Sequence, residues 1–135
     1  MRVKIAAAGS MLLAAVTLTA CVPPGVACPA IGYVYDGPVI VESSPDLVGD
    51  GTLSACFGAE CEAAAVAPDP AGHWEIPQEP PYAPANTISL APGTSIRVVI
   101  TTSAGDVTRD EWIEVPYTRQ SVGSCPGPVD FHPVE

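Results

Sequence analysis

Five cysteines, two histidines and 15 carboxylates are the side chains through which this 135-residue sequence could do chemistry. Cys56 and Cys61 flank the run Phe57-Gly58-Ala59-Glu60. That is the spacing at which facing residues of a tight hairpin bring their Cβ atoms within bonding distance, so a local disulfide is expected. No two cysteines are separated by two residues, which argues against a thiolate zinc site and against a poised redox pair. His73 stands beside Trp74 in a proline-rich stretch and His132 lies near the C-terminus. Without a G-x-S-x-G nucleophile elbow these histidines do not indicate a Ser-His-Asp hydrolase, and no catalytic residue is assigned. Asp46, Asp50 and Gly51 offer some oxygens of a calcium loop but lack the D-x-D-x-D-G repeat and its closing glutamate, so they read as a turn. Asp110, Glu111 and Glu114 read as the solvated face of a strand. No metal and no cofactor is expected.

The aromatics are the remaining candidates. Trp74, Tyr82 and Trp112, gathered on an exposed rim, would form a contact patch for protein or carbohydrate, because flat amphipathic rings bury area at little entropic cost. The competing reading is core packing, since a small domain needs its few large side chains inside. Trp112 is the better surface candidate because Asp110 and Glu114 share its strand face.

These groups sit behind a leader. Arg2 and Lys4 precede an uncharged stretch from Ile5 to Ala20, cationic and then apolar, and too short for a comfortable bilayer-spanning helix of roughly 20 residues. It ends in Leu18-Thr19-Ala20-Cys21, which resembles the lipobox of bacterial lipoproteins: an aliphatic residue, two small residues and an obligatory cysteine. The resemblance implies that 1–20 is a signal peptide and that Cys21 takes a diacylglyceryl thioether and becomes the first residue. Residues 21–27 then form a short Pro-rich tether, and 28–135 a single extracytoplasmic β-domain held on the outer face of the cytoplasmic membrane. Gly25-Val26-Ala27 offers an ordinary signal peptidase a second site, which would release a soluble chain beginning at Cys28. With Cys21 assigned to lipid, the other cysteines form an even set, and joining Cys56 to Cys61 leaves Cys28 for Cys125. Outside the cytoplasm both pairs should oxidise.

Without the leader the chain keeps three arginines, no lysine and all 15 acidic residues. That balance excludes electrostatic capture of nucleic acid, and of anionic lipid by basic clusters. All 16 prolines and 11 of the 12 glycines also lie beyond residue 20, which rules out long helices. Strand signals fill the rest. Ile31–Tyr35 and Pro38–Glu42 flank Asp36-Gly37 and predict a hairpin. Leu53, Ala55 and Phe57 alternate with Ser54 and Cys56, and Glu62–Val66 follows as the return strand of a tight hairpin. The proline-rich crossing from Pro68 to Pro84 admits at most a short strand at His73–Ile76. Ile96, Val98 and Ile100 alternate with Arg97, Val99 and Thr101. After Ser103–Asp106 a long strand is expected from Val107 to Tyr117, with a bulge or strand end where Arg109 and Glu111 break its apolar parity. About seven short strands with two disulfides predict an antiparallel β-sandwich, immunoglobulin-like in the broad sense.

With its lipobox, its short tether, the start at Ala27-Cys28-Pro29-Ala30, the segment Ser54 to Cys61 and the late Ser124-Cys125-Pro126-Gly127, the chain resembles small uncharacterised lipoproteins of high-GC Gram-positive bacteria. This resemblance implies the export route and carries no activity. The expectation is a membrane-tethered, non-enzymatic binding or accessory domain meeting an envelope protein. The alternative is a solute- or cation-binding lipoprotein, and the oligomeric state stays open.

Overall fold

In the computed structural model the described residues are 25, 27–30, 32–86 and 89–135. The signal peptide expected at 1–20 and the lipidation expected at Cys21 lie outside them. Among the described residues eight strands and one helical turn follow in the order β1 (Val39–Val41), α1 (Pro45–Val48), β2 (Thr52–Phe57), β3 (Ala64–Val66), β4 (Trp74–Ile76), β5 (Ser95–Thr101), β6 (Val107–Glu114), β7 (Tyr117–Val122) and β8 (Cys125–Phe131). The fold is an all-β antiparallel sandwich with two disulfides.

Its larger layer is the four-stranded sheet β3-β2-β5-β6. Period-two alternation sets its faces: Leu53, Ala55 and Phe57 on β2 lie opposite Ile100, Val98 and Ile96 on β5, and all six are buried. The second layer is the β1–β4 ribbon, which adds Val39, Val41, Trp74 and Ile76 to the same core. Loop residues Ala83, Leu90, Val115 and Val134 close the gaps. Each fully buried Val, Leu, Ile or Phe contributes roughly 1.5–3 kcal/mol. The core holds few large side chains, so the covalent bridges matter.

Both bridges join the expected cysteines, with Cα–Cα distances of 5.4 Å for Cys28–Cys125 and 5.8 Å for Cys56–Cys61. The short one differs in setting from the expected tight hairpin. The β2–β3 ladder ends at Ala55↔Ala64, so Cys56 and Cys61 are not facing partners. Beyond that point the backbone N–H of Phe57 donates to Tyr82 O at 2.8 Å, because the Glu79–Ala83 turn takes over as neighbour of β2. Cys61 reaches Cys56 on the outward side of the sheet, where Cys56 is fully covered.

Two further expectations are corrected. The hairpin around Asp36-Gly37 does not form: β1 pairs with β4, and Tyr35 makes only an isolated bridge to Leu90. A two-residue Asp-Gly hairpin needs Gly in the left-handed region, and Gly37 is not among the positive-φ glycines. Gln78 Nε2 instead donates to the carbonyls of Tyr35 and Gly37, at 2.9 and 2.6 Å, and the Tyr35 hydroxyl donates to Pro38 O. The long strand from Val107 to Tyr117 breaks at Val115-Pro116. Val115 is buried and donates its N–H to Thr94 O, after which β7 leaves the sheet to pair with β8. The prolines at 126 and 128 mask β8 in the sequence; both strands of a two-stranded ribbon are edges, and the register shift between Arg119 and Ser121 sets Pro128 at an irregularity of the ladder, the places where proline is tolerated.

Candidate functional site

The outward face of the four-stranded sheet is where β5 and β6 place their polar alternation. Arg97 on β5 stands opposite Trp112 on β6, with Cys56 on its other side, and Asp110 lies one same-face position along from Trp112. Arg97 binds Asp110 with both arms of its fork: Nε donates to Oδ1 and an Nη to Oδ2, each at 2.8 Å. Its Cζ lies 5.7 Å from the centre of the Trp112 ring, within cation–π range. The guanidinium's hydrogen bonds hold the Asp110 carboxyl below its usual pKa, and the carboxylate in turn raises that of Arg97. Trp112 keeps 44% of its surface exposed. A flexible arginine is thus fixed as a flat shelf beside an open indole.

Beside this shelf an open hollow of 540 Å³ is lined by Gly58, Ala59, Gly93, Thr94, Ser95 and Trp112. Gly58 and Gly93, at φ +95° and +82°, allow the two turns that rim it. No known family, curated protein or solved structure matches the chain. The site is therefore read from its geometry alone.

The three aromatic candidates do not converge on one rim. Trp74 is 4% exposed and packs in the core. Tyr82 is half-buried; its hydroxyl donates to Ala65 O at 2.9 Å and its carbonyl accepts from Phe57, so it pins a loop to the sheet. Trp112 alone stays on the surface, as its charged same-face neighbours had indicated. Its arginine partner was missed in the sequence, because pairing 97 with 112 depends on the register across the Ile100/Thr101 bulge.

Both histidines have polar neighbours within the fold. His73 donates its backbone N–H to Asp69 Oδ1 at 2.8 Å, and this bond is the main reason that the Asp69 carboxyl titrates below its usual value. The His132 Nε2 lies 3.0 Å from Thr118 Oγ1. The acidic run on β6 is divided between faces. Asp110 points outward, while Glu111 pairs with Arg109 on the core side, where Arg109 also donates to Glu135 O. Among the described residues no three His, Cys, Asp or Glu side chains converge to hold a metal ion. None of the described helices is long and apolar enough to cross a membrane.

Proposed function

We propose that this chain is a lipid-anchored extracytoplasmic accessory domain that binds an envelope protein through the Trp112–Arg97 shelf, without catalysis. The observation that supports the reading is an exposed tryptophan beside a bidentate-held arginine. Trp and Arg dominate binding energy at protein interfaces, and here the cost of ordering the arginine is met before any partner arrives. The hollow beside Trp112 would accept a small apolar side chain of the partner. The Leu18–Cys21 pattern supports the anchor, which would confine the domain to one plane and raise its effective concentration near membrane neighbours. No observation on the described residues favours the cation-binding alternative.

The test places a photo-crosslinking amino acid at position 112 or, as a control, at position 118 in the producing cells. The expected result is a discrete adduct from position 112, diminished by Arg97→Ala and absent from position 118. A metabolically supplied fatty-acid label should appear on the wild type and vanish in Cys21→Ala. Equal adducts from both positions would defeat the binding reading, and an unlabelled wild type would defeat the anchor.

A further inference from the structure

We propose that the end of the domain built around the Cys28–Cys125 bridge and the tip of the β7–β8 ribbon lies against the lipid headgroup layer, giving the domain a fixed orientation on its membrane. The inference rests on the reading of Cys21 as the acylated residue.

Reach is the first argument. Six residues separate Cys21 from Cys28, seven Cα–Cα steps that span at most about 24 Å when fully extended. Cys28 is bonded to Cys125, which pairs with Val122 across the ribbon's turn, so the tether leads to a covalently held corner of the fold.

Charge is the second. Residues 21–35 contain no charged side chain, and 117–129 contain only Arg119. All 15 acidic residues lie within 36–114 and 130–135. On so acidic a chain this is the end that an anionic bilayer does not repel, and the Trp112 face, with Asp110 and Glu114, is not.

The third is the exposed surface. Tyr33, Val34 and Val122 are 43%, 63% and 58% exposed. Cys28, Pro29, Tyr33, Arg119 and Val129 line one hollow of 250 Å³, which places the N-terminal segment and the ribbon side by side. Tyrosine, proline, valine and a single arginine suit the interface, where rings sit at headgroup level and arginine stems lie along apolar surface. By β7 alternation Thr118 and Gln120 share the face of Val122, and Gln120 donates to Asp130 there, so the ribbon would meet the headgroups with its tip while the polar stretch behind the tip faces water.

The experiment uses the acylated full-length protein reconstituted into vesicles of equal parts phosphatidylcholine and phosphatidylglycerol, with acyl chains either plain or brominated near their headgroup ends. In Trp112→Phe/Val122→Trp, the indole at position 122 should sink about 5–10 Å into the boundary and lose roughly half its emission to bromine. In the wild type Trp112 should be unaffected. Val34→Trp in the Trp112→Phe background repeats the measurement from the other segment. If the protein floats with the vesicles but neither indole is quenched, or if Trp112 is quenched instead, the orientation is wrong while the anchor stands. A blue shift at position 122 without bromine quenching would mean that a second copy covers the ribbon, and would equally overturn it. Protein that carries no fatty acid and does not float refutes the anchor, and the orientation with it.

Discussion

Removing the Cys28–Cys125 bridge should cost this protein more stability than any other single covalent change. The cysteines are 97 residues apart, and closing a loop of that length removes denatured-state entropy equivalent to about 4.7 kcal/mol at 25 °C. Cys56–Cys61, with a separation of 5, removes only about 2 kcal/mol by the same reckoning. Cys56 is fully buried, so replacing it by alanine adds about 1 kcal/mol of lost packing, which narrows the gap without closing it. Against total stabilities of about 5–15 kcal/mol for natural domains, the long bridge is a large share. It also holds a ribbon that has little other purchase: every residue of β7 is exposed, and its aromatic contact with the body runs through Phe131, 5.2 Å from Tyr35 and 6.1 Å from Tyr117 between ring centres. Urea unfolding of Cys28→Ala/Cys125→Ala and Cys56→Ala/Cys61→Ala, without reductant, should show the larger loss in the first variant. The first should also show the larger rise in m, because a released loop exposes more surface on unfolding. Equal losses, or a larger loss from the short bridge, would refute the loop-entropy account.

Three other outcomes follow from the same geometry. Ile96→Ala, at a fully buried position facing Phe57 and Ile113, should cost about 2–5 kcal/mol in urea titration with little change in m. Asp69 and Asp110 both titrate below the ordinary 3.8 in the folded chain. Their contribution is complete above that value and is lost as pH falls through the lower folded pKa, so Asp69→Asn/Asp110→Asn should flatten the acid limb of melting temperature against pH below about pH 4. Arg109→Val/Glu111→Val should leave the core intact yet promote self-association by light scattering, because β6 is an edge strand whose core-facing charges discourage pairing with another chain.

Alternation made the centre of the sandwich legible. Ile96, Val98 and Ile100, set against Leu53, Ala55 and Phe57, lie on the predicted faces because a one-residue slip would have put every one of them in water. Trp112 was legible for the same reason. What escaped was decided by partners distant in sequence. Val39–Val41 looked like the arm of a local hairpin, but its ladder bonds go to Trp74–Ile76, and the carbonyls at 35 and 37 are taken by Gln78. Arg97 looked like one more polar alternate, and its role appears only once register brings Trp112 and Asp110 to it. The β7–β8 ribbon was hidden by its prolines, since their tolerance depends on how few strands its sheet has.

The span between Cys28 and Cys125 also dictates an order of events during vectorial synthesis. At about 5–20 residues per second, Cys28 emerges about 5–20 s before its partner, whereas Cys56 and Cys61 emerge within a second or so of each other. For that interval the first thiol is a nucleophile with only wrong mates within reach. Oxidation of the small loop within that interval would remove both of them from competition, so its modest entropic value understates the use it would have in leaving Cys28 for Cys125.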